Sequence, residues 1–198
     1  MGTPKNWPAS FPYIKSPLHS KELTKQQIEA LRTRQTGASS VAPNFTTTPS
    51  NNVKIQAITD ASHPANGQFG LFAAQNIKPG SFILAYLGRV HSGEAASAES
   101  DYDLWLDRDA DVAVDAAKEG NEGRFVNDYR GIGKRANAEF SPVWCERWGE
   151  MCVGIWAIGS SKKEVGGIKK GEEILVSYGK GFWDERRKEM EEEKGAEA

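Results

Sequence analysis

Cysteine is scarce in this chain, two residues among 198, Cys145 and Cys152. Two thiols cannot build a disulfide framework or a four-ligand zinc site, so both are expected as buried free cysteines and no metal is expected. Long apolar runs are missing too. No stretch has the length of a membrane-spanning helix, and the start, MGTPKNWPAS, lacks the basic-then-apolar order of a secretory signal. Gly2 does not open a myristoylation motif, because the sixth position holds Asn6 rather than Ser or Thr. No membrane association is expected, and an intracellular location, nucleus or cytoplasm, follows as the expectation. Neither sign of charge dominates: 25 Lys/Arg face 27 Asp/Glu. Residues 1–50 hold six basic and two acidic residues, leaving 19 against 25 in the remainder. That distribution lacks the clustered basic face of a nucleic-acid binder, so no direct nucleic-acid contact is predicted. Histidine is rare, and His19, His63 and His91 have no nucleophile partner in view, so they read as surface residues.

What is present argues for one folded domain with tails: 38% apolar and 10% aromatic residues suffice for a core in a chain of this length. Residues 1–19 carry four prolines and no apolar period, which predicts an irregular arm. Ser20 reads as the N-cap of a helix over Lys21–Arg34, with Leu23, Ile28 and Leu31 loosely on one face. Residues 37–52, rich in Ser, Thr, Pro and Asn, read as a linker. From Val53 onward short apolar or alternating runs predict strands at Val53–Ala57, Gly70–Ala74, Ser81–Leu87, Tyr102–Leu106, Val112–Asp115, Ala138–Phe140, Cys152–Ala157 and Glu173–Val176. Trp183–Lys194 has good helix formers. The organisation expected is therefore arm, helix and linker over 1–52, a β-rich domain over 53–183 and a charged tail over 184–198. Trp144, Trp148 and Trp156 read as core aromatics around the two cysteines, with a protein-facing patch as the alternative.

Four segments carry chemical information. The first is Asn66-Gly-Gln-Phe-Gly-Leu-Phe-Ala-Ala74, followed by Ile77-Lys-Pro-Gly80 and Phe82-Ile-Leu-Ala-Tyr-Leu-Gly88. Glycine in such a turn permits close approach of backbone to a ligand, and equally a plain turn between strands. The second is Tyr102-Asp-Leu-Trp-Leu-Asp107 with Val114-Asp-Ala116. The third is Gly120-Asn-Glu-Gly-Arg-Phe-Val-Asn-Asp128 with Asn137-Ala-Glu-Phe140, and the fourth is Ile168-Lys-Lys-Gly-Glu-Glu-Ile-Leu-Val-Ser-Tyr-Gly179 before Phe182-Trp183.

In this order the four segments resemble the SET-domain protein lysine methyltransferases, over about residues 53–183. The resemblance implies a mainly β SET-domain fold of short curved sheets with a pseudoknot, plus N-terminal and C-terminal helices. It implies S-adenosylmethionine as cofactor and a lysine of another protein, a histone tail included, as substrate. It makes Tyr178 the catalytic tyrosine. Gly67, Phe69, Gly70, Arg124, Phe125, Asn127, Asp128 and Trp183 are the implied cofactor-binding residues, and Tyr86, Tyr102 and Phe182 the implied walls of the substrate channel. Tyr102 reads equally as a core aromatic on a strand, and Asp115 as structural. Three departures stand out. The glycines fall at 67 and 70, a G-x-x-G spacing; Asp128 replaces the family's histidine, with extra residues before Asn137; and no cysteine follows Trp183 to supply a closing zinc cluster. Closure then falls to Phe182, Trp183 and the helix after them. Val176 stands where some members carry the aromatic that limits methyl number. The altered stretch after Asn127 leaves open an alternative, a non-catalytic SET-like module that only holds a peptide.

The chemistry can be stated independently. A lysine amine attacks only when neutral, and its reference pKa of about 10.4 keeps it protonated in water. A narrow aromatic channel disfavours the ammonium by desolvation, while ring faces attract it on entry. Tyr86, Tyr102, Tyr178 and Trp183 are the candidate walls.

Overall fold

The computed structural model describes residues 2–93, 100–159 and 166–179. Phe182, Trp183 and the helix predicted over Trp183–Lys194 lie outside these residues. Along the chain run β1 (Leu18–His19), α1 (Lys25–Leu31), β2 (Ser39–Val41), β3 (Val53–Ala57), β4 (Phe69–Ala73), β5 (Phe82–Tyr86) and β6 (Arg89–Ser92). Then follow β7 (Asp103–Asp107), β8 (Val112–Asp115), β9 (Asn127–Asp128), β10 (Ala138–Cys145), β11 (Glu150–Ala157) and β12 (Leu175–Val176), with short 3-10 turns at Pro43–Phe45 and Glu122–Phe125. The architecture is mainly β, as expected.

One four-stranded sheet has the order β1-β6-β8-β7, and a second the order β2-β10-β11-β5. The β10–β11 hairpin pairs eight residues on each side, from Ala138 opposite Ala157 to Cys145 opposite Glu150. Its turn closes on Gly149, whose φ of 64° is left-handed and so suits glycine. Every residue of β5 is buried, which is why Phe82–Tyr86 reads as a continuous apolar run rather than an alternation. In β3, by contrast, Val53 and Ile55 point inward while Lys54 is exposed. The main core gathers Leu71, Ile83, Val112, Ile155 and Ile174, all fully buried. A second cluster holds both free cysteines with Val41, Phe82, Leu87 and Val143. Trp148 and Trp156 pack half-buried against that second cluster and Trp144 against the first, so the three tryptophans are packing residues.

Several expectations for the first 52 residues are corrected. The helix starts at Lys25, not Lys21, because Thr24 and Gln27 form a capping box: Thr24 Oγ1 accepts from the Gln27 amide at 3.2 Å and Gln27 Oε1 from the Thr24 amide at 3.0 Å. Ser20 instead turns back on itself, its hydroxyl accepting from the Glu22 amide. The stretch expected as a linker contributes β2, paired in parallel to β10, and Asn52, whose amide donates to the Ile83 carbonyl at 3.0 Å. The arm is anchored as well. Trp7 lies in the core, and β1 pairs with β6. In the domain itself, β10 runs five residues past its expected end at Phe140, while the last strand shrinks to Leu175–Val176. Two histidines are not at the surface. His91 is buried, its Nδ1 donating to the Ser92 carbonyl and its Nε2 lying 3.1 Å from Asp103 Oδ1. His63 is held inside the site described next.

Candidate active site

The site is built by threading. The segment from Glu173 to Tyr178 passes between the two arms of the loop that connects β9 to β10. On one side β12 pairs in parallel with β9, Leu175 opposite Asn127 and Val176 opposite Asp128. On the other, the Asn137 amide donates to the Leu175 carbonyl at 3.0 Å, and Asn137 Oδ1 accepts from the Leu175 amide at 2.8 Å. Asn137 Nδ2 also donates to the Glu173 carbonyl. A strand bonded on both edges this way cannot slip, and it carries Tyr178 to a fixed place. This is the expected pseudoknot.

Tyr178 is held at both ends of its residue. Its amide donates to Asp128 Oδ2 and its hydroxyl to the Val126 carbonyl, each at 2.7 Å. Burial, then the neighbouring Tyr102, Asp128 and Asp101, push the phenol well above its ordinary pKa, so it stays neutral. Since its one proton goes to Val126, the hydroxyl presents only lone pairs in other directions.

Two cavities share a wall here. One, of about 470 Å³, is lined by Tyr86, Tyr102, Val126, Phe140 and Tyr178, with Asp101 and Asp103 adding carboxylates. The other, of about 580 Å³, is lined by Gly67, Phe69, Phe125, Asn127 and Asp128. Asp101, Tyr102, Arg124 and Tyr178 border both. The geometry admits one ligand from each cavity, meeting beside the Tyr178 hydroxyl.

The structure thus brings together most of the residues singled out from the sequence. Tyr86 is buried with its hydroxyl on the Tyr102 carbonyl at 2.7 Å, its ring edge-on to Phe140. Gly67 takes a left-handed φ of 81° with open space where a Cβ would stand. Phe69 packs on Phe125 with ring centroids 6.0 Å apart. Asp115 is structural, as expected, accepting from the Ser100 hydroxyl and the Ala117 amide. Gly70, implied by the resemblance to be cofactor-binding, does not line the larger cavity. A Cβ on it would stand 2.6 Å from Glu173 Oε1, so this glycine makes room for a carboxylate rather than for a ligand. That carboxylate, Glu173, lies in the fourth segment, where the sequence pattern alone gives it no role. Glu173 Oε1 accepts from Asn127 Nδ2 at 2.8 Å, and Oε2 lies 3.0 Å from His63 Nε2. His63 Nδ1 accepts from the Ala65 amide, which puts the ring proton on Nε2, toward Glu173.

Asp128, standing where the resemblance places a histidine, is only 6% exposed and, among the described residues, accepts from the Tyr178 amide, from the Arg130 amide and twice from the Arg130 guanidinium. Asp128→Ala leaves the part-buried Tyr178 amide without its acceptor. A loss of about 2–3 kcal/mol of stability is expected in chemical denaturation, with Asp128→Asn in between; a D128A midpoint equal to wild type would show that the carboxylate does not brace the threaded strand.

A strand threaded through a loop thus sets one half-buried tyrosine between two cavities that share a wall, an arrangement with room for two ligands. The chain belongs to the SET domain family, whose model matches residues 68–179. Among solved structures, a humanized mutant of the Chaetomium thermophilum Polycomb Repressive Complex 2 bound to the inhibitor GSK126 is 24% identical, with a TM-score of 0.50 over 66% of this chain and 15% of that chain. The same complex in an autoinhibited conformation bound to S-adenosylmethionine is 26% identical, with a TM-score of 0.48 over the same shares. The likeness is one of fold, and this chain spans about one sixth of the length of the chains it resembles. No curated protein matches it. Among the described residues, no group of three or more metal-ligating side chains is assembled, and no helix is long and apolar enough to cross a membrane.

Proposed function

We propose that this protein is a protein lysine N-methyltransferase that takes its methyl group from S-adenosylmethionine and delivers it to a lysine of another protein, a histone tail among the candidates. The observation that carries the reading is the shared wall: Tyr178 and Tyr102 border both cavities. S-adenosylmethionine, when bound, supplies a methyl on a sulfonium, already activated for transfer to a nucleophile. The residues of the larger cavity fit such a molecule. Its volume suits a small cofactor, the rings of Phe69 and Phe125 offer apolar faces for a flat base, and Tyr102 offers a face to a cation. Arg124, stacked on rings and bonded through Nε to the Ala116 carbonyl, offers its terminal amino groups to a carboxylate.

The smaller cavity would receive the lysine. Asp101 and Asp103 favour approach of the ammonium, and the rings of Tyr86, Tyr102, Phe140 and Tyr178 then strip its water. Desolvation lowers the amine's pKa and favours the neutral nucleophile. The lone pairs of the Tyr178 hydroxyl and the rigid wall hold that amine in line, while the phenol, kept protonated by its surroundings, is no general base.

Titration calorimetry with S-adenosylmethionine is expected to show one site per chain, and radiolabelled cofactor is expected to mark lysines on a peptide array that includes histone tails. No binding would sink the reading. Binding without transfer to any peptide or recombinant histone would instead favour a non-catalytic peptide-binding module, the reading to which Asp128 in place of histidine points.

A further inference from the structure

The N-terminal arm lies outside the residues matched to the family, yet it reaches the site. Three aromatic residues fall within seven positions, Trp7, Phe11 and Tyr13. Trp7 is 9% exposed, donates from its indole to the Phe11 carbonyl at 2.7 Å and packs edge-to-face on Phe11, Tyr13 and Phe125. Just beyond, the arm is hydrogen-bonded to the Gly120 backbone: the Gly120 amide donates to the Pro12 carbonyl at 3.2 Å, and the Ile14 amide to the Gly120 carbonyl at 2.9 Å. Tyr13 donates its hydroxyl to the buried Glu122 carboxylate at 3.0 Å, whose other oxygen accepts from the Ser50 amide. The arm is therefore fixed to the segment that carries Arg124, on both sides of Phe11.

Phe11 itself faces the guanidinium. Arg124 Cζ lies 4.1 Å from the Phe11 ring centroid, 4.5 Å from that of Tyr102 and 5.1 Å from that of Phe125. Three rings thus crowd one planar cation, and its one hydrogen bond among the described residues is the Nε bond to Ala116. A guanidinium stacked on rings loses water from its faces but keeps its in-plane N–H groups for an acceptor. Among the described residues no carboxylate pairs with it. We propose that Phe11 is a positioning residue, which from the N-terminal arm pins Arg124 at the wall between the two cavities so that its amino groups meet the carboxylate of the cofactor's methionine moiety.

This inference rests on reading the larger cavity as the S-adenosylmethionine site. Its test uses the full chain and three variants. Phe11→Leu keeps an apolar side chain but removes the ring face; it is expected to raise both the calorimetric Kd and the KM for S-adenosylmethionine about 5- to 20-fold. The kcat at saturating cofactor and the KM for a lysine peptide should stay within about twofold, a split that general destabilisation does not produce. Phe11→Tyr, which restores a ring, should recover the affinity. Arg124→Lys should weaken binding at least as much, and adding F11L to R124K should weaken it no further, because both act through one guanidinium. F11L binding the cofactor like wild type, or multiplying the R124K loss, overturns the proposal while leaving the methyltransferase reading intact. Wild-type protein that binds no S-adenosylmethionine overturns both.

Discussion

Replacing Tyr178 with phenylalanine is expected to lower methyl transfer by about 10² or more while the protein stays folded and keeps its affinity for S-adenosylmethionine. The ring is not the issue, since phenylalanine fills the same half-buried space. The hydroxyl is. It is fixed by the 2.7 Å bond to Val126 and stands at the wall common to both cavities, so its oxygen can define where an incoming nitrogen sits. Loss of that one bond should remove only about 1 kcal/mol of stability, and the neighbouring bond from the Tyr178 amide to Asp128 is untouched by the substitution. Radiolabelled transfer measured beside a denaturation curve separates the two effects. Undiminished turnover in Y178F removes Tyr178 from the chemistry.

The largest effect on stability is expected at Asn121. This side chain is 1% exposed and bonds through both ends of its amide: Oδ1 accepts from the Leu87 amide at 3.0 Å and the Gly123 amide at 3.3 Å, and Nδ2 donates to the Ala85 carbonyl at 2.8 Å. It ties the end of β5 to the 3-10 turn that presents Arg124 and Phe125. Asn121→Ala leaves the Leu87 amide and the Ala85 carbonyl buried and unpaired, for a loss of about 3–5 kcal/mol. Against the 5–15 kcal/mol typical of a domain, such a loss leaves a marginal fold. Asn121→Asp should fare only somewhat better, because a carboxylate then faces the Ala85 carbonyl instead of donating to it. Urea denaturation reads the difference, and an N121A midpoint at the wild-type value would show that water replaces the amide.

Tyr178 was legible in the sequence at the end of the run Gly171-Glu-Glu-Ile-Leu-Val-Ser-Tyr178, whereas Asn121, within the run Gly120–Asp128, gave no sign of the three buried bonds it makes. The β-rich class was legible for the same local reason, since Val53–Ala57 alternates and Phe82–Tyr86 is wholly apolar. What stayed hidden depends on partners far along the chain. His63 reads as a surface turn residue because nothing near it predicts Glu173, 110 positions away. Phe11 sits in a proline-rich arm that shows no apolar period, yet its ring meets Arg124. Ser39–Val41 is too short and too polar to announce an edge strand, and only its parallel pairing with β10 makes it one. The helix start was a local error with a local signal: Thr24 and Gln27 spell the capping box that Ser20 does not have.

The threaded segment has a consequence for assembly. Tyr178 reaches its place only when residues 173–178 lie between Asn127 and Asn137, and those partners are some 40–50 positions earlier in the chain. A loop that closes before the strand has entered must reopen to admit it, because no other route gives β12 partners on both edges. Docking of residues 173–178 is therefore the step that brings Tyr178 to the wall between the two cavities.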